Sequence, residues 1–140
     1  MHLPDAVSFA KGRHQGVLVT LRRNGGPQLS NILYSMADDG LARISVTDSR
    51  AKTSNLRRDP TASLYVPGDS FWSYAVLDGT AELSAAAQEP DDAVVDELVD
   101  LYRSIRGEDH PDWPEFRQVM VDERRMVARF RPTHAYGVLR

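Results

Sequence analysis

Two tight-turn sequences near the beginning of the chain constrain its fold more than any other feature. Residues 24–27 read Asn-Gly-Gly-Pro and residues 38–40 read Asp-Asp-Gly, and their glycines permit the positive φ angles of hairpin turns. The segments that these turns separate, residues 16–22, 28–37 and 41–47, are rich in β-branched residues or alternate between polar and apolar side chains. The sequence therefore predicts three antiparallel strands joined by hairpins.

The rest of the chain adds further short strands and two late helices. The clearest helix covers residues 90–106, where an apolar stripe recurs at helical spacing. The whole pattern predicts helices over 3–11, 49–58, 90–106 and 111–120. It also predicts strands over 62–66, 71–83, 124–131 and 134–139. A bulge is expected at 78–79, and Pro132 is expected to end the strand over 124–131. Six or seven strands, mostly joined by hairpins, predict a single mainly β (α+β) domain over residues 1–140. Its expected form is a closed or nearly closed antiparallel barrel with helices packed outside.

Composition and charge exclude several functional classes. The chain is 41% hydrophobic and 26% charged, which is typical of a globular domain and not of a disordered chain. A formal net charge of −3 disfavours nucleic-acid binding by phosphate neutralisation, although it leaves room for a local basic patch. The absence of cysteine excludes disulfides, thiolate catalysis, iron–sulfur clusters and cysteine zinc sites. No apolar run is long enough to span a bilayer and residues 1–5 lack signal-peptide character, so the expected compartment is the cytosol.

Common catalytic motifs are also missing. The four histidines show no metal-ligand spacing, and there is no Gly-x-Gly-x-x-Gly, phosphate-loop lysine or Gly-x-Ser-x-Gly motif. These absences favour chemistry that belongs to a bound cofactor, with the protein supplying position and electrostatics and with no metal site.

The beginning of the predicted helix at residues 49–58 carries the most informative signal. Either Asp48 or Ser49 is the expected N-cap, and Arg50 and Lys52 then fall in the first turn, where the helix dipole favours acidic residues. Each cation is unfavourable there by about 0.3–1 kcal/mol, and a bound anion would reverse the sign of the effect. Backbone N–H groups, these two cations and the hydroxyl of Ser49 or Thr53 would then converge on the anion. The alternative interpretation is a solvated basic face without a ligand.

Three further segments contain candidate functional groups. Residues 28–31 place amide and hydroxyl groups on a strand, and Asn31 is suited either to the edge of a planar heterocycle or to a purely structural contact. The aromatic run at 71–74 is suited to stacking on a ring system, or to a core or an interface. His134 and Tyr136 are candidate proton donors, with a structural role as the alternative for the histidine.

The order of these segments resembles a known family. Residues 16–20, 26–31, 49–60 and 72–75, followed by Gly-Thr-Ala at 79–81, resemble the deazaflavin-dependent branch of the pyridoxamine phosphate oxidase-like split β-barrel family. This branch is the flavin/deazaflavin oxidoreductase B group, typical of mycobacteria and related actinobacteria. The resemblance covers nearly the whole chain, and its specific part is the Arg-Ala-Lys-Thr-Ser-Asn-Leu-Arg-Arg-Asp-Pro block that begins at Arg50.

This resemblance implies a six-stranded split barrel that forms a homodimer with two sites for coenzyme F420 at its interface. The cofactor phosphate would be held at the basic helix start, the ring would lie beside strand residues, and residues 72–74 would approach from the partner subunit. Arg57 and Arg58 would contact the anionic tail of the cofactor. The cofactor-binding residues so implied are Gln28, Ser30, Asn31, Ser45, Thr47, Arg50, Ala51, Lys52, Thr53, Arg57, Trp72, Ser73 and Tyr74.

The activity that the resemblance implies is hydride transfer from the reduced deazaflavin to an electron-poor small molecule, such as an enone or a heterocycle. The accompanying proton would come from solvent or from a side chain, for which Tyr74 and His134 are the candidates. Three alternatives stay open: an FMN-dependent oxidoreductase of the same fold, a non-catalytic F420-binding or storage protein, and a dimeric structural module with a vacant groove.

Overall fold

A single curled antiparallel sheet of seven strands, with four helices around it, forms the computed structural model, which describes all 140 residues. The helices are α1 (Leu3–Lys11), α2 (Ala51–Arg58), α3 (Ala93–Arg106) and α4 (Trp113–Asp122). The strands are β1 (Gln15–Leu21), β2 (Pro27–Leu33), β3 (Ser35–Met36), β4 (Ala42–Thr47), β5 (Thr61–Pro67), β6 (Tyr74–Leu83) and β7 (Arg125–Val138). None of the four helices has the length and apolar character needed to cross a membrane.

The two edges of the sheet are joined by one residue. The strand order is β2-β1-β5-β6-β7-β4-β3, so β2 and β3 lie at opposite edges, yet only Tyr34 separates them in the chain. Tyr34 is fully buried, its backbone N–H bonds to the His14 carbonyl at 2.8 Å, and its hydroxyl donates to the Ala10 carbonyl at 2.8 Å. The sheet therefore curls on itself, which confirms the split-barrel class but with seven strands. The single strand predicted over residues 28–37 is wrong, because Tyr34 breaks it as the chain moves from pairing with β1 to pairing with β4.

Two apolar clusters hold the elements together. The first fills the curled sheet and includes Leu18, Ile44, Leu64, Leu77 and Phe130, all almost completely buried. The second lies outside the sheet, where Val95, Leu98, Leu101 and Met120 of α3 and α4 pack on Val127 of β7. Successive residues of β7 thus serve different clusters, since Met126 and Ala128 belong to the first. The second cluster holds the α3–α4 pair against the outside of the sheet.

A shared carboxylate strengthens this attachment. Glu97 of α3 accepts hydrogen bonds from the Nε of Arg43 on β4 and the Nε of Arg129 on β7, each at 2.9 Å, and from the Nη2 of Arg129 at 2.6 Å. Hydrogen bonds from Arg129 and then Arg43 keep the pKa of Glu97 below its ordinary value. The carboxylate therefore stays ionised and orients α3 across two neighbouring strands.

Strand ends differ from the sequence prediction in two places. β6 begins at Tyr74, so Phe71 lies in the preceding turn and not in the predicted strand. β7 runs through Pro132 without the predicted interruption, because its partner β4 ends at the pair Ala42–Phe130 and needs no N–H from the proline. The predicted bulge is confirmed between Asp78 and Gly79.

Candidate functional site

A cleft of about 600 Å³ lies between the end of β2, the strand β4, the beginning of α2 and the α3–α4 pair. Its polar lining consists of Asn31, Ser45, Thr47, Arg50, Lys52, Arg106 and Arg125. Its apolar lining consists of Ile32, Leu33, Leu98, Leu101, Tyr102, Ile105, Phe116 and Met120. Four cations and no carboxylate therefore face this cleft, whose size is that of a small-molecule site.

The beginning of α2 leaves backbone donors open. Arg50 occupies the N-cap position with extended backbone, and no side chain caps the helix. The N–H groups of Ala51, Lys52 and Thr53 have no acceptor within the chain, whereas the N–H of Ser54 bonds to the Arg50 carbonyl at 3.1 Å. A helix start of this kind offers aligned N–H groups and a partial positive charge to an anion.

Neither of the two residues predicted as the N-cap of α2 caps the helix. Asp48 is not the N-cap, because its carboxylate is paired with the guanidinium of Arg57 and with the Nε of Arg124 at 3.2 Å. Hydrogen bonds from Arg124 and then Arg57 hold the pKa of Asp48 below its ordinary value. Ser49 precedes the N-cap residue and supplies no capping bond. The one acidic residue next to the helix start is thus neutralised by other arginines.

Like charges meet at the same end of the cleft. Burial, together with the charges of Arg50 and Arg125, lowers the pKa of Lys52 below its ordinary value of 10.5. Arg50 and Lys52 form no ion pair, while Arg125 pairs with Glu123 at 2.9 Å and donates to the Ser45 hydroxyl at 3.3 Å. Uncompensated cations beside open N–H groups are the charge arrangement that a phosphate stabilises.

Other predicted residues of α2 hold the helix in place. Thr53 is fully buried and its hydroxyl donates to the Thr47 carbonyl at 2.6 Å, so this proton is not available to an anion. Arg57 is engaged by Asp48, and Arg58 donates to the carbonyl of Leu21. The structure therefore uses these side chains to fasten α2 to the sheet, and the tail contacts expected of the two arginines stay a prediction.

Only some of the predicted strand residues line the cleft. Asn31 lines the cleft, as do Ser45 and Thr47 of β4, which lie on one face at alternate positions. Gln28 and Ser30 do not line the cleft, because it is bordered by the last three residues of β2, Asn31, Ile32 and Leu33. The predicted cluster of ring contacts is thus represented in the cleft by Asn31, Ser45 and Thr47.

The aromatic segment before β6 does not line the cleft of its own chain. Trp72 is 67% exposed and meets Phe71, itself 85% exposed, in an edge-to-face contact at 4.9 Å. Ser73 is buried, and its hydroxyl accepts a hydrogen bond from the Arg140 N–H at 3.3 Å. Tyr74 stacks on Tyr65 with ring centroids 5.8 Å apart. A contribution of this segment to a partner's cofactor site stays a prediction.

The two candidate proton donors also lie outside the cleft. His134 Nδ1 is 3.1 Å from Asp78 Oδ2, and the other carboxylate oxygen of Asp78 accepts from the Ser63 hydroxyl at 2.6 Å. This chain of groups, like Tyr74, contributes nothing to the cleft lining. Any proton donation by Tyr74 or His134 would therefore require a site shared with a second chain.

The sequence interpretation missed one wall of the cleft. Tyr102, Phe116 and Arg106 line it from α3 and α4, and Arg125 lines it from the start of β7. The apolar stripe of α3 indicated a buried core face, and most of that stripe is buried. Its last turn extends beyond the core and is half-open, a distinction that helical spacing alone does not reveal.

Comparisons with known proteins agree on the fold. Residues 3–139 match the family model for pyridoxamine 5'-phosphate oxidase. A conserved hypothetical protein from Mycobacterium tuberculosis superposes with a TM-score of 0.72 at 22% identity, covering 96% of this chain and 82% of that one. A protein named F420 reductase gives a TM-score of 0.66 at 21% identity, covering 92% and 94%. HutZ, the heme storage protein from Vibrio cholerae, gives 0.67 at 15% identity, covering 96% and 93%.

Proposed function

The chain belongs to the pyridoxamine 5'-phosphate oxidase family, and on that premise we propose that it is an oxidoreductase that holds the deazaflavin coenzyme F420 in the cleft. The observation that carries the proposal is the beginning of α2. Arg50 and Lys52 lie there without acidic partners beside three open backbone N–H groups. One phosphate satisfies both the open donors and the uncompensated charge.

The residues present fit a phosphate-bearing flavin-type cofactor. The cationic end, with Arg125 at its border, suits the phosphate, and the polar groups of Asn31, Ser45 and Thr47 line the adjoining part of the cleft. These side chains can hydrogen-bond the polar edge of a planar heterocycle, while Ile32 packs against its apolar surface. In its reduced form such a cofactor donates a hydride to an electron-poor acceptor such as an enone or a heterocycle. The chain's own part is to bind, to orient the reactants and to exclude water.

Support for F420 over FMN comes from the Arg-Ala-Lys-Thr block at the start of α2 and from the shared fold with a protein named F420 reductase. FMN is the alternative ligand, since it too carries a phosphate that Arg50 and Lys52 can hold.

A second candidate function is non-catalytic binding or storage of the cofactor. The observation that favours it is the cleft lining, which contains no histidine, aspartate or glutamate. Both predicted proton donors, Tyr74 and His134, lie elsewhere in the chain.

We further propose that two chains form a homodimer with two cofactor sites at the interface. Exposed apolar side chains support a covered surface, because Phe71 and Trp72 are 85% and 67% exposed, and Tyr136 and Val138 are also exposed. Sedimentation at micromolar concentration is expected to give about twice the chain mass. A monomer with full cofactor affinity would contradict the shared site.

The experiment that tests the function compares both cofactors on the same protein. F420 and FMN are titrated side by side, and the reduced form of F420 is then mixed with a panel of enones and heterocycles while its oxidation is followed. We expect tighter binding of F420 and oxidation that depends on the protein. Equal or tighter binding of FMN would contradict the choice of cofactor. Tight binding of F420 without turnover of any acceptor would favour the storage function.

A further inference from the structure

The wall that α3 and α4 contribute to the cleft is aromatic and ends in an arginine. Tyr102 and Phe116 meet edge to face with ring centroids 5.3 Å apart, and both rings line the cleft. Ile105 and Met120 continue the apolar surface. The guanidinium of Arg106 lies 5.8 Å from the centroid of Tyr102 and also faces the cleft. This wall thus offers an aromatic and aliphatic surface that also carries one cation.

Arg106 belongs to a different element from the other cations of the cleft. It is the last residue of α3, whereas Arg50 and Lys52 lie at the beginning of α2 and Arg125 begins β7. Cations from more than one wall therefore line the cleft, and Arg106 belongs to the wall that carries the aromatic rings.

Arg103, one turn earlier on the same helix, has a different environment from Arg106, although both cations complement the dipole of α3. Arg103 stacks on Trp113 at 4.9 Å and is neutralised by Asp109 at 2.7 Å, outside the cleft. Arg106 makes no ion pair, although Asp109 lies only three positions away in sequence. Both arginines are exposed, but the chain neutralises Arg103 and leaves Arg106, which lines the cleft, without an ion-pair partner.

We infer that the α3–α4 wall of the cleft is a substrate subsite for a flat, apolar molecule that carries an anionic group. Arg106 pairs with the anionic group through charge-assisted hydrogen bonds, and the rings of Tyr102 and Phe116 pack against the flat body. This inference rests on the proposed function, in which the beginning of α2 holds the cofactor phosphate and the hydride acceptor must lie beside the cofactor. It narrows the acceptor from electron-poor molecules in general to those with an acidic substituent.

The test uses two probes of the same shape. Isothermal titration with 2-naphthoate and with 2-naphthamide is carried out on the cofactor-free protein and on protein saturated with F420. The anionic probe is expected to bind at least about tenfold more tightly than the neutral one, the effect of one charge-assisted contact. Arg106→Gln should abolish this difference. Arg131→Gln is the matched control, because Arg131 is exposed, makes no ion pair and lies outside the cleft.

Several outcomes would overturn the inference. These are absence of naphthoate binding in both forms of the protein, equal binding of the two probes, or equal loss of discrimination in Arg131→Gln. Displacement of naphthoate by triglutamate would instead assign Arg106 to the acidic tail of the cofactor. Loss of naphthoate binding in Lys52→Ala would place the probe in the cofactor's phosphate site. The proposed function fails by a different result, namely unchanged cofactor binding in Lys52→Ala.

Discussion

Helices α2 and α4 begin in opposite ways. The N-cap of α4 is Asp112, whose carboxylate accepts from the Glu115 N–H at 3.1 Å, and Glu115 adds a second acid to the first turn. The N-cap of α2 is Arg50, which caps nothing, and the first turn contains Lys52 and no acid. The start of α4 is capped within the chain, whereas the start of α2 leaves its backbone donors open, as the proposed anion site requires.

Contacts away from its first turn keep α2 folded without a cap. Leu56 is buried in the barrel core, and Thr53 bonds to the end of β4. Arg57 reaches back to Asp48, which also holds Arg124 at the turn before β7. Tertiary contacts therefore stabilise the helix at its sides and far end, and its N-terminal donors remain free for a ligand.

The largest effect is expected from Lys52→Glu, which gives α2 the kind of start that α4 has. Cofactor affinity should fall by more than about a hundredfold, because a charge-assisted contact is replaced by repulsion of the phosphate. The free energy of unfolding without cofactor should rise by about 0.3–1 kcal/mol, since the new acid complements the dipole. Fluorescence titration and thermal melting measure the two quantities. A variant that binds less well and is also less stable would contradict the comparison.

A smaller effect, confined to stability, is expected from Asp112→Ala. The substitution removes the cap of α4 and should lower the free energy of unfolding by about 1 kcal/mol. Cofactor affinity should not change, because Asp112 does not line the cleft. Chemical denaturation and the same titration check both parts. A loss of affinity comparable to that of Lys52→Glu would mean that the two helix starts do not have separate roles.

The smallest expected effect is a loss of anion affinity at alkaline pH. The pKa of Lys52 lies below 10.5 in the free protein, and a bound anion raises it because the anion favours the charged form. At a pH between these two pKa values, anion binding is therefore accompanied by uptake of a proton. Affinity for sulfate, which does not titrate in this range, should therefore fall as the pH rises from 7 toward 10.5. Lys52→Arg keeps its charge and should show no such fall. Equal pH profiles for both proteins would exclude Lys52 as the titrating group.

The sequence predicts the parts of this molecule that follow local rules. The positive φ angles of Gly25 and Gly40, the apolar stripe of α3 and the bulge beside Gly79 each have a local cause, and the structure confirms them. The break at Tyr34 was not predictable in this way, because it depends on a hydroxyl contact with Ala10 of a distant helix. Continuation through Pro132 likewise depends on where a neighbouring strand ends.

The same distinction between local and tertiary causes applies to the candidate site. The charge anomaly at Arg50 and Lys52 is visible in the sequence because it violates a local preference, and both residues line the cleft. The roles of Thr53 and Arg57 are decided by contacts with Thr47 and Asp48, which local patterns do not encode. Sequence patterns located the cationic residues at the beginning of α2, whereas the wall formed by α3 and α4 depends on how these two helices pack.

The central claim is that the open beginning of α2 binds the phosphate of a ligand, and Lys52→Ala tests it most directly. Cofactor titration and a cofactor-free melting curve are compared for the parent, for Lys52→Ala and for Arg131→Ala as the control. Affinity should fall about ten- to a hundredfold in Lys52→Ala only, with the melting temperature unchanged or slightly raised. Unchanged affinity would place the anion site elsewhere, and a much lower melting temperature would show that Lys52 is structural.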